Sequence, residues 1–202
     1  MAKKKVVIDK KLIQNLREIT GVGMMDSKRA LEEAGGDIEK AIELLRKKGA
    51  AVAAKRAEKV TAEGLVHAYI HPGNRIGVMI EINCETDFVA RTDDLKNFVH
   101  DLCLQIAALK PLYLIPENID PKFLEHEKDI FKEQLADSGK PEKVINTILE
   151  GKLNKLYEEI CLLKQPFVKN DQLTVTDVLN ELIAKTGENI KIKRFARYEI
   201  GG

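Results

Sequence analysis

One run of alternating residues constrains the fold more than any other feature, because it predicts a β-strand with one buried face. The run lies between Arg75 and Cys84, and its apolar positions are Ile76, Val78, Ile80, Ile82 and Cys84. A period of two residues is typical of a half-buried strand, so we expect the strand to end near Glu85. Residues 71–75, His-Pro-Gly-Asn-Arg, have proline and glycine in the order of a type II turn. They predict a hairpin with a second strand over Leu65–His71.

The segment that follows this strand, residues 83–89, is predicted to form a tight corner between strand and helix. Its sequence is Asn-Cys-Glu-Thr-Asp-Phe-Val, and a helical pattern resumes from about Asp93. The corner holds Phe88 beside the Asp87 carboxylate. Phenylalanine is most often a core residue, whereas a ring on a corner braced by two elements is also well placed to insert into a partner. Both interpretations of Phe88 stay open on the residues alone.

The first fifty residues predict three short helices that share one core. Apolar residues recur at helical spacing after Asp9, and Asp26 and Asp37 are capping residues of the second and third helices. Glycines follow the three helices at Gly21, Gly35 and Gly49. Because helices this short are not stable alone, they should pack as a compact bundle of the ubiquitin-associated type. Met24 and Met25 are adjacent and cannot both face the core. They either fill the core of the bundle or form an adaptable binding surface.

The residues beyond this bundle indicate a linker and then a mixed domain. Residues 50–59 are Ala, Lys, Arg and Glu with one Val, which favours a polar linking helix. We therefore expect three parts: a three-helix bundle over residues 1–50, a linking helix over 51–60, and an α+β core domain over 61–202 with a helical insertion at about 117–165.

Within that core domain the periodicity predicts mostly helices and one further strand. An amphipathic helix covers Leu95–Leu109, and two more, joined near Gly139-Lys140-Pro141, would form a helical hairpin from Phe123–Leu135 and Val144–Leu163. A capping box at residues 174–177 opens a last helix, and a third strand begins at Ile190. The predicted fold class is α+β: a three-helix ubiquitin-associated-like bundle, then a small antiparallel three-stranded sheet packed with helices and a helical hairpin.

The charge balance argues against a nucleic-acid partner. Lys and Arg total 33 and Asp and Glu total 32 in 202 residues, a net charge of +1, so no strong attraction to phosphate backbones is expected. The basic cluster at residues 3–5 is followed by only three apolar residues before Asp9, too few for a signal peptide. No later segment has the apolar length to span a bilayer. We expect a cytoplasmic protein without a membrane partner.

No group of residues indicates a catalytic or metal site. The cysteines are odd in number and lack CxxC spacing: Cys84, Cys103 and Cys161. His67 and His71 would lie about 13 Å apart along their strand, too far to bind one ion. Cys84 with a histidine could act as a nucleophile, but its phase in the strand predicts a buried thiol. We expect no enzyme, no metal and no cofactor.

Several motifs, in order along the chain, resemble bacterial elongation factor Ts. They are Leu16–Asp26 (Leu-Arg-Glu-Ile-Thr-Gly-Val-Gly-Met-Met-Asp), Gly36-Asp37, Asn83–Ala90 and Gly187–Ile190. Together they extend over nearly the whole chain. The resemblance implies a guanine nucleotide exchange factor for elongation factor Tu, the GTPase that delivers aminoacyl-tRNA to the ribosome.

The resemblance also implies roles for individual residues. Those that would dislodge Mg²⁺ from the GTPase are Thr86, Asp87, Phe88 and Val89, and those of the partner-binding module that would grip it are Arg17, Met24, Met25 and Lys28. Longer family members have two sheet-bearing halves, whereas this chain has one, so we expect a homodimer formed through the core domain. The alternative is an interaction adaptor with a ubiquitin-associated-like module, and a cysteine- or histidine-dependent hydrolase is a third possibility.

Overall fold

The computed structural model describes residues 8–136 and 141–201 and divides the chain into two compact units. Among the described residues, the first unit contains those up to Gly64, together with Asn83–Leu95 and Asp177–Lys191. The second contains the described residues of Leu65–Ile82, of Lys96–Thr176 and from Ile192 on. The basic cluster at residues 3–5 and the turn at residues 139–140 lie outside the described residues. The α+β class is confirmed, with eight α-helices and a three-stranded sheet in the described ranges.

Three helices open the first unit: α1 (Lys10–Thr20), α2 (Met24–Glu33) and α3 (Ile38–Arg56). Asp37 caps α3 as predicted, and Asp9 caps α1, because their carboxylates accept the backbone N–H groups of Lys40 and Lys11. Asp26 does not cap α2: the N-cap is Gly23, and Asp26 lies in the first turn. The three helices share a small core whose buried members are Ile13, Leu16, Ala30, Leu31 and Ala41.

Helix α3 does not end at Gly49, as the sequence predicted, but continues to Arg56. The glycine has a packing reason instead: a methyl group at Gly49 would lie 3.6 Å from the carbonyl oxygen of Asn180 and 3.7 Å from Ala184 Cβ. Much of the segment expected as a separate linking helix over 51–60 is therefore the last part of α3. The expected divisions at residues 50 and 60 do not coincide with the two compact units.

The main sheet contains β1 (Glu63–Ile70), β2 (Ile76–Cys84) and β5 (Ile190–Glu199), in the order β1-β2-β5. The predicted turn joins β1 to β2: Gly73 has φ +94° and the Asn74 N–H donates to the His71 carbonyl at 3.0 Å. The Ile200 N–H donates to the Arg75 carbonyl at 2.9 Å, so the end of β5 lies beside the start of β2. The three strands are therefore antiparallel.

Five α-helices and two short strands lie between β2 and β5 in the described ranges. They are α4 (Asp87–Arg91), α5 (Asp93–Leu109), α6 (Pro121–Ala136), α7 (Glu142–Ile160), the hairpin of β3 (Pro166–Phe167) and β4 (Asn170–Thr174), and α8 (Val175–Thr186). Helix α5 lies against the sheet, since the His67 and His100 rings are 5.8 Å apart and Arg197 donates to the Ala107 carbonyl. No membrane-crossing helix occurs in the two described ranges.

Helices α6 and α7 form the predicted helical hairpin. The ammonium group of Lys152 in α7 lies 5.1 Å from the centre of the Phe131 ring in α6 and also donates to Gln134. The β3–β4 hairpin was not predicted, because strands of two and five residues show no alternation. A buried amide holds this hairpin instead: Gln105 donates to the Pro166 carbonyl and accepts the Val168 N–H.

Candidate functional site

The corner after β2 contains a short helix that the sequence analysis did not predict. Thr86 has an extended backbone and caps α4, and its hydroxyl oxygen accepts the Val89 N–H at 3.5 Å. Thr92 follows α4, and its hydroxyl accepts the Leu95 N–H at 3.3 Å at the start of α5. Thr86 therefore caps a five-residue helix that begins in the expected corner, and Thr92 caps the long helix that follows it.

Helix α4 holds its Phe88 ring in solvent. The side chain is 83% exposed, and Thr86 and Asp87 are exposed beside it. Val89 is 8% exposed, so it faces inward and anchors the helix. The four residues that the resemblance singled out thus divide into three on the surface and one below it. The Asp87 carboxylate pairs with Arg91 at 2.9 Å, and both side chains remain mostly exposed.

Two residues just before β5, Glu188 and Asn189, hold the corner through hydrogen bonds. Both carboxylate oxygens of Glu188 accept hydrogen bonds from Thr86, from the hydroxyl at 2.6 Å and from the backbone N–H at 3.1 Å. The Asn189 N–H donates to Glu85 Oε1 at 2.6 Å, and the Arg56 guanidinium lies 3.4 Å from the same carboxylate. Both residues belong to the Gly187–Ile190 motif, whose individual side chains had no predicted role.

The two methionines of the bundle are both on its surface. Met24 is 53% exposed and Met25 is 62% exposed, because the core positions of α2 are taken by Ser27, Ala30 and Leu31. The question left open by the sequence is therefore answered in favour of an exposed pair.

Charged residues accompany these methionines on the bundle surface. Arg17 in the last turn of α1 and Lys28 in α2 are exposed. Lys28 lies 3.8 Å from Glu32, one turn further along α2. Ile19 falls at helical spacing with the buried Ile13 and Leu16, yet it is 57% exposed and adds an apolar side chain near the Gly21–Gly23 loop. The bundle therefore presents both apolar and basic side chains to solvent.

Helix α8 connects the bundle with the corner inside the first unit. Its Lys185 ammonium is 2.7 Å from the Asp94 carboxylate at the start of α5. The same ammonium would lie 3.8 Å from a methyl group on Gly21, in the loop before the methionines. At its other side α8 packs on Gly49 of α3. The exposed methionines and the exposed phenylalanine therefore belong to the same compact unit.

Comparison with known proteins assigns the chain to a family. The model of the family described as Elongation factor TS matches residues 8–202. This chain belongs to the elongation factor Ts family. Its relatives include the elongation factor Ts of Moorella thermoacetica, 58% identical over 94% of this chain and 93% of that protein. Those of Carboxydothermus hydrogenoformans and Thermotoga petrophila are each 55% identical, over 96% and 94% of this chain and 90% and 94% of theirs.

Membership of the elongation factor Ts family makes this protein a translation elongation factor. Of the motifs that carried the resemblance, Leu16–Asp26 contains the exposed Met24 and Met25 of the bundle, and Asn83–Ala90 forms the corner. The late motif Gly187–Ile190 supplies the two residues that hold that corner. Three motifs that are distant in the sequence therefore contribute to one unit.

The thiols of this elongation factor Ts family member are poor candidates for a nucleophile. Cys84 is fully buried, its Sγ donates to the Thr86 carbonyl, and burial, followed by the nearby Glu188 charge, raises its pKa. Burial also raises the pKa of Cys103 to about 12 and that of Cys161 to about 11. In the described ranges no three His, Cys, Asp or Glu side chains are grouped so that they could hold a metal ion.

Proposed function

We propose that this protein is the guanine nucleotide exchange factor of elongation factor Tu. It binds the GDP complex of that GTPase, displaces Mg²⁺, promotes GDP release and stays bound until GTP enters. We place this activity in the cytoplasm, with elongation factor Tu as the protein partner. The observation that carries the proposal is the Phe88 ring, 83% exposed on a helix whose capping residue is held by two hydrogen bonds.

Displacement of the ion would promote release of the nucleotide. A bound divalent cation is often the largest local charge at a phosphate site, so its loss weakens the hold on the diphosphate. Thr86, Asp87 and Phe88 are the exposed residues that would enter the partner's nucleotide site, with Val89 supporting them from inside. Burial of one Phe side chain stabilises a complex by about 1.5–3 kcal/mol, which is too little to offset tight nucleotide binding alone.

The bundle would supply the additional contact. Met24 and Met25 are flexible apolar side chains on its surface, and thioethers adapt to a partner's shape. Arg17 and Lys28 add exposed positive charge near them. Because coupling between two ligands is reciprocal, a chain that weakens GDP binding is itself bound more weakly when GDP is present. It should therefore bind nucleotide-free elongation factor Tu most tightly.

The exposed face of the sheet supports the expectation of a homodimer. One face is turned away from α5, and its exposed apolar side chains are Val66, Ile70, Met79, Tyr198 and Ile200. Ile70 reaches across to β2, where a methyl group on Gly77 would lie 3.2 Å from its Cδ1. Exposed apolar side chains on one face of a sheet are typical of an interaction site. A second copy of the chain would cover it and supply the sheet surface that longer family members carry in one chain.

The release of fluorescently labelled GDP from elongation factor Tu tests the exchange function. The wild-type chain should accelerate release, and Phe88→Ala should lower the maximal rate at least about tenfold without changing the thermal unfolding midpoint. Met25→Lys should instead raise the concentration that gives half-maximal rate. Leu112→Ala, which removes an apolar side chain 65% exposed in the second unit, is the matched control and should behave as wild type. Failure of the wild-type chain to accelerate release would favour the adaptor alternative.

A further inference from the structure

We propose that Glu188 is a positioning residue for nucleotide exchange: by holding Thr86 it fixes the direction in which α4 presents Phe88. This inference rests on the exchange function proposed above. Glu188 is not expected to touch the GTPase or the nucleotide. It would act on the exposed Phe88 ring indirectly, by holding Thr86.

The contact between Glu188 and Thr86 orients the cap of α4. The Thr86 hydroxyl donates its proton to Glu188 Oε1 at 2.6 Å, a short bond to a charged acceptor. Its lone pairs are then turned toward the Val89 N–H, which they accept at 3.5 Å. The second carboxylate oxygen holds the Thr86 backbone N–H at 3.1 Å. One carboxylate thus fixes both the backbone and the side chain of the capping residue.

Glu188 is itself held in place by its neighbours. Its backbone N–H donates to the Thr186 hydroxyl at 3.3 Å, and Gly187 before it has φ +72°, which allows the chain to turn out of α8. Asn189 after it is 2% exposed and donates through its side-chain amide to the carbonyls of Ala57 and Lys59. Because this turn is held on both sides, the Glu188 carboxylate has a fixed position from which it can orient Thr86.

Helix α4 needs such a constraint because of its length. Five residues are too few for an α-helix to be stable alone, so its direction depends on its cap and on the inward side chain of Val89. A ring that samples many directions in the free protein loses more conformational entropy on insertion than a ring whose direction is already fixed. Since the bundle is proposed to supply the docking contact and α4 the inserted ring, the loss should appear in the rate of release from the complex and not in docking.

The experiment measures labelled GDP release from elongation factor Tu over a range of concentrations of the full chain, which separates maximal rate from half-saturation. Glu188→Gln replaces one acceptor oxygen by a donor amide and should lower the maximal rate about tenfold, with half-saturation changed less than about twofold. Thr86→Ser keeps both donors and should remain near wild type. Glu150→Gln, an exposed carboxylate of α7, is the matched control. Thr86→Val keeps the N–H donor and removes the hydroxyl, so it should also lower the maximal rate.

A double-mutant cycle decides whether Glu188 acts through Thr86. If it does, Glu188→Gln combined with Thr86→Val should be no slower than the worse single variant, whereas independent losses would multiply and overturn the inference. Faster amide hydrogen exchange at residues 86–89 in free Glu188→Gln, with the unfolding midpoint unchanged, would support it. An active wild type with an equally active Glu188→Gln overturns the inference alone. An inactive wild type overturns the exchange function and the inference together.

Discussion

The backbone N–H of Asn189 donates to Glu85 Oε1 at 2.6 Å, although the two residues are 104 positions apart in the chain. The same asparagine donates through its side chain to the carbonyls of Ala57 and Lys59, at the C-terminal end of α3. The last carbonyls of a helix lack partners within the helix. Asn189 therefore joins the end of α3 to the corner that carries Phe88.

Asn189→Ala should lower the free energy of unfolding by about 1–3 kcal/mol, because it leaves carbonyl acceptors beside a 2% exposed position without their donor. Urea unfolding followed by circular dichroism measures the change. Asn97→Ala, at an exposed position of α5, should alter stability by less than about 0.5 kcal/mol. Equal stability of the two variants would show that the Asn189 side-chain bonds contribute nothing net.

Gly49→Ala should stabilise the protein, although the glycine is buried. Alanine favours a helix over glycine by about 0.8–1.0 kcal/mol, and the new methyl group would meet only ordinary contacts at 3.6 Å and 3.7 Å. Gly49→Leu should destabilise, since the larger side chain would displace α8. Gly151→Ala in α7, where no atom lies within 4 Å of the new group, isolates the helix-propensity effect. A destabilising Gly49→Ala would mean that α8 packs more closely than these distances indicate.

Met79→Lys should turn the proposed dimer into a monomer. Met79 is 52% exposed on the middle strand, so the lysine is tolerated in a monomer but places two like charges in a symmetric interface. Sedimentation velocity at micromolar concentration and above gives the mass. Met25→Lys, a matched change on the bundle surface, should leave the dimer intact. A wild-type chain that sediments as a monomer throughout this range contradicts the dimer.

Stability should fall as the pH rises above about 9. Cys103 has its pKa raised from 9.0 to about 12 and Cys161 to about 11, both chiefly by burial. A raised folded-state pKa contributes stability that is fully present below the unfolded value and is lost as the pH rises through the folded value. Urea unfolding at pH 8 and pH 10.5 should show a smaller decline for Cys103→Ala than for wild type. Identical declines would mean that this thiol does not contribute to the pH dependence.

Local patterns were sufficient to predict the strands of the main sheet. The alternation in β2 and the Pro-Gly order at residues 72–73 depend on neighbours in the chain, so they are visible in the sequence. Gly49 was wrongly predicted to end a helix, because the glycine packs against α8, more than a hundred residues later in the chain. The β3–β4 hairpin was missed because the buried amide of Gln105 holds it.

The candidate site could be predicted only in part. The motif around Phe88 indicated which residues to consider, but burial statistics favour an interior ring, and only the three-dimensional structure shows it 83% exposed. The bonds between Thr86 and Glu188 join residues 102 positions apart, and no local pattern reports such a contact.

The solvent-facing ring of Phe88 also has a bearing on how variants of this chain should be chosen. A screen that ranks clones by expression yield or shelf life will favour a polar replacement at this position, because the ring lowers solubility without filling any interior space. Under the exchange function proposed above, such clones would release nucleotide more slowly, so library designs should leave codon 88 unchanged.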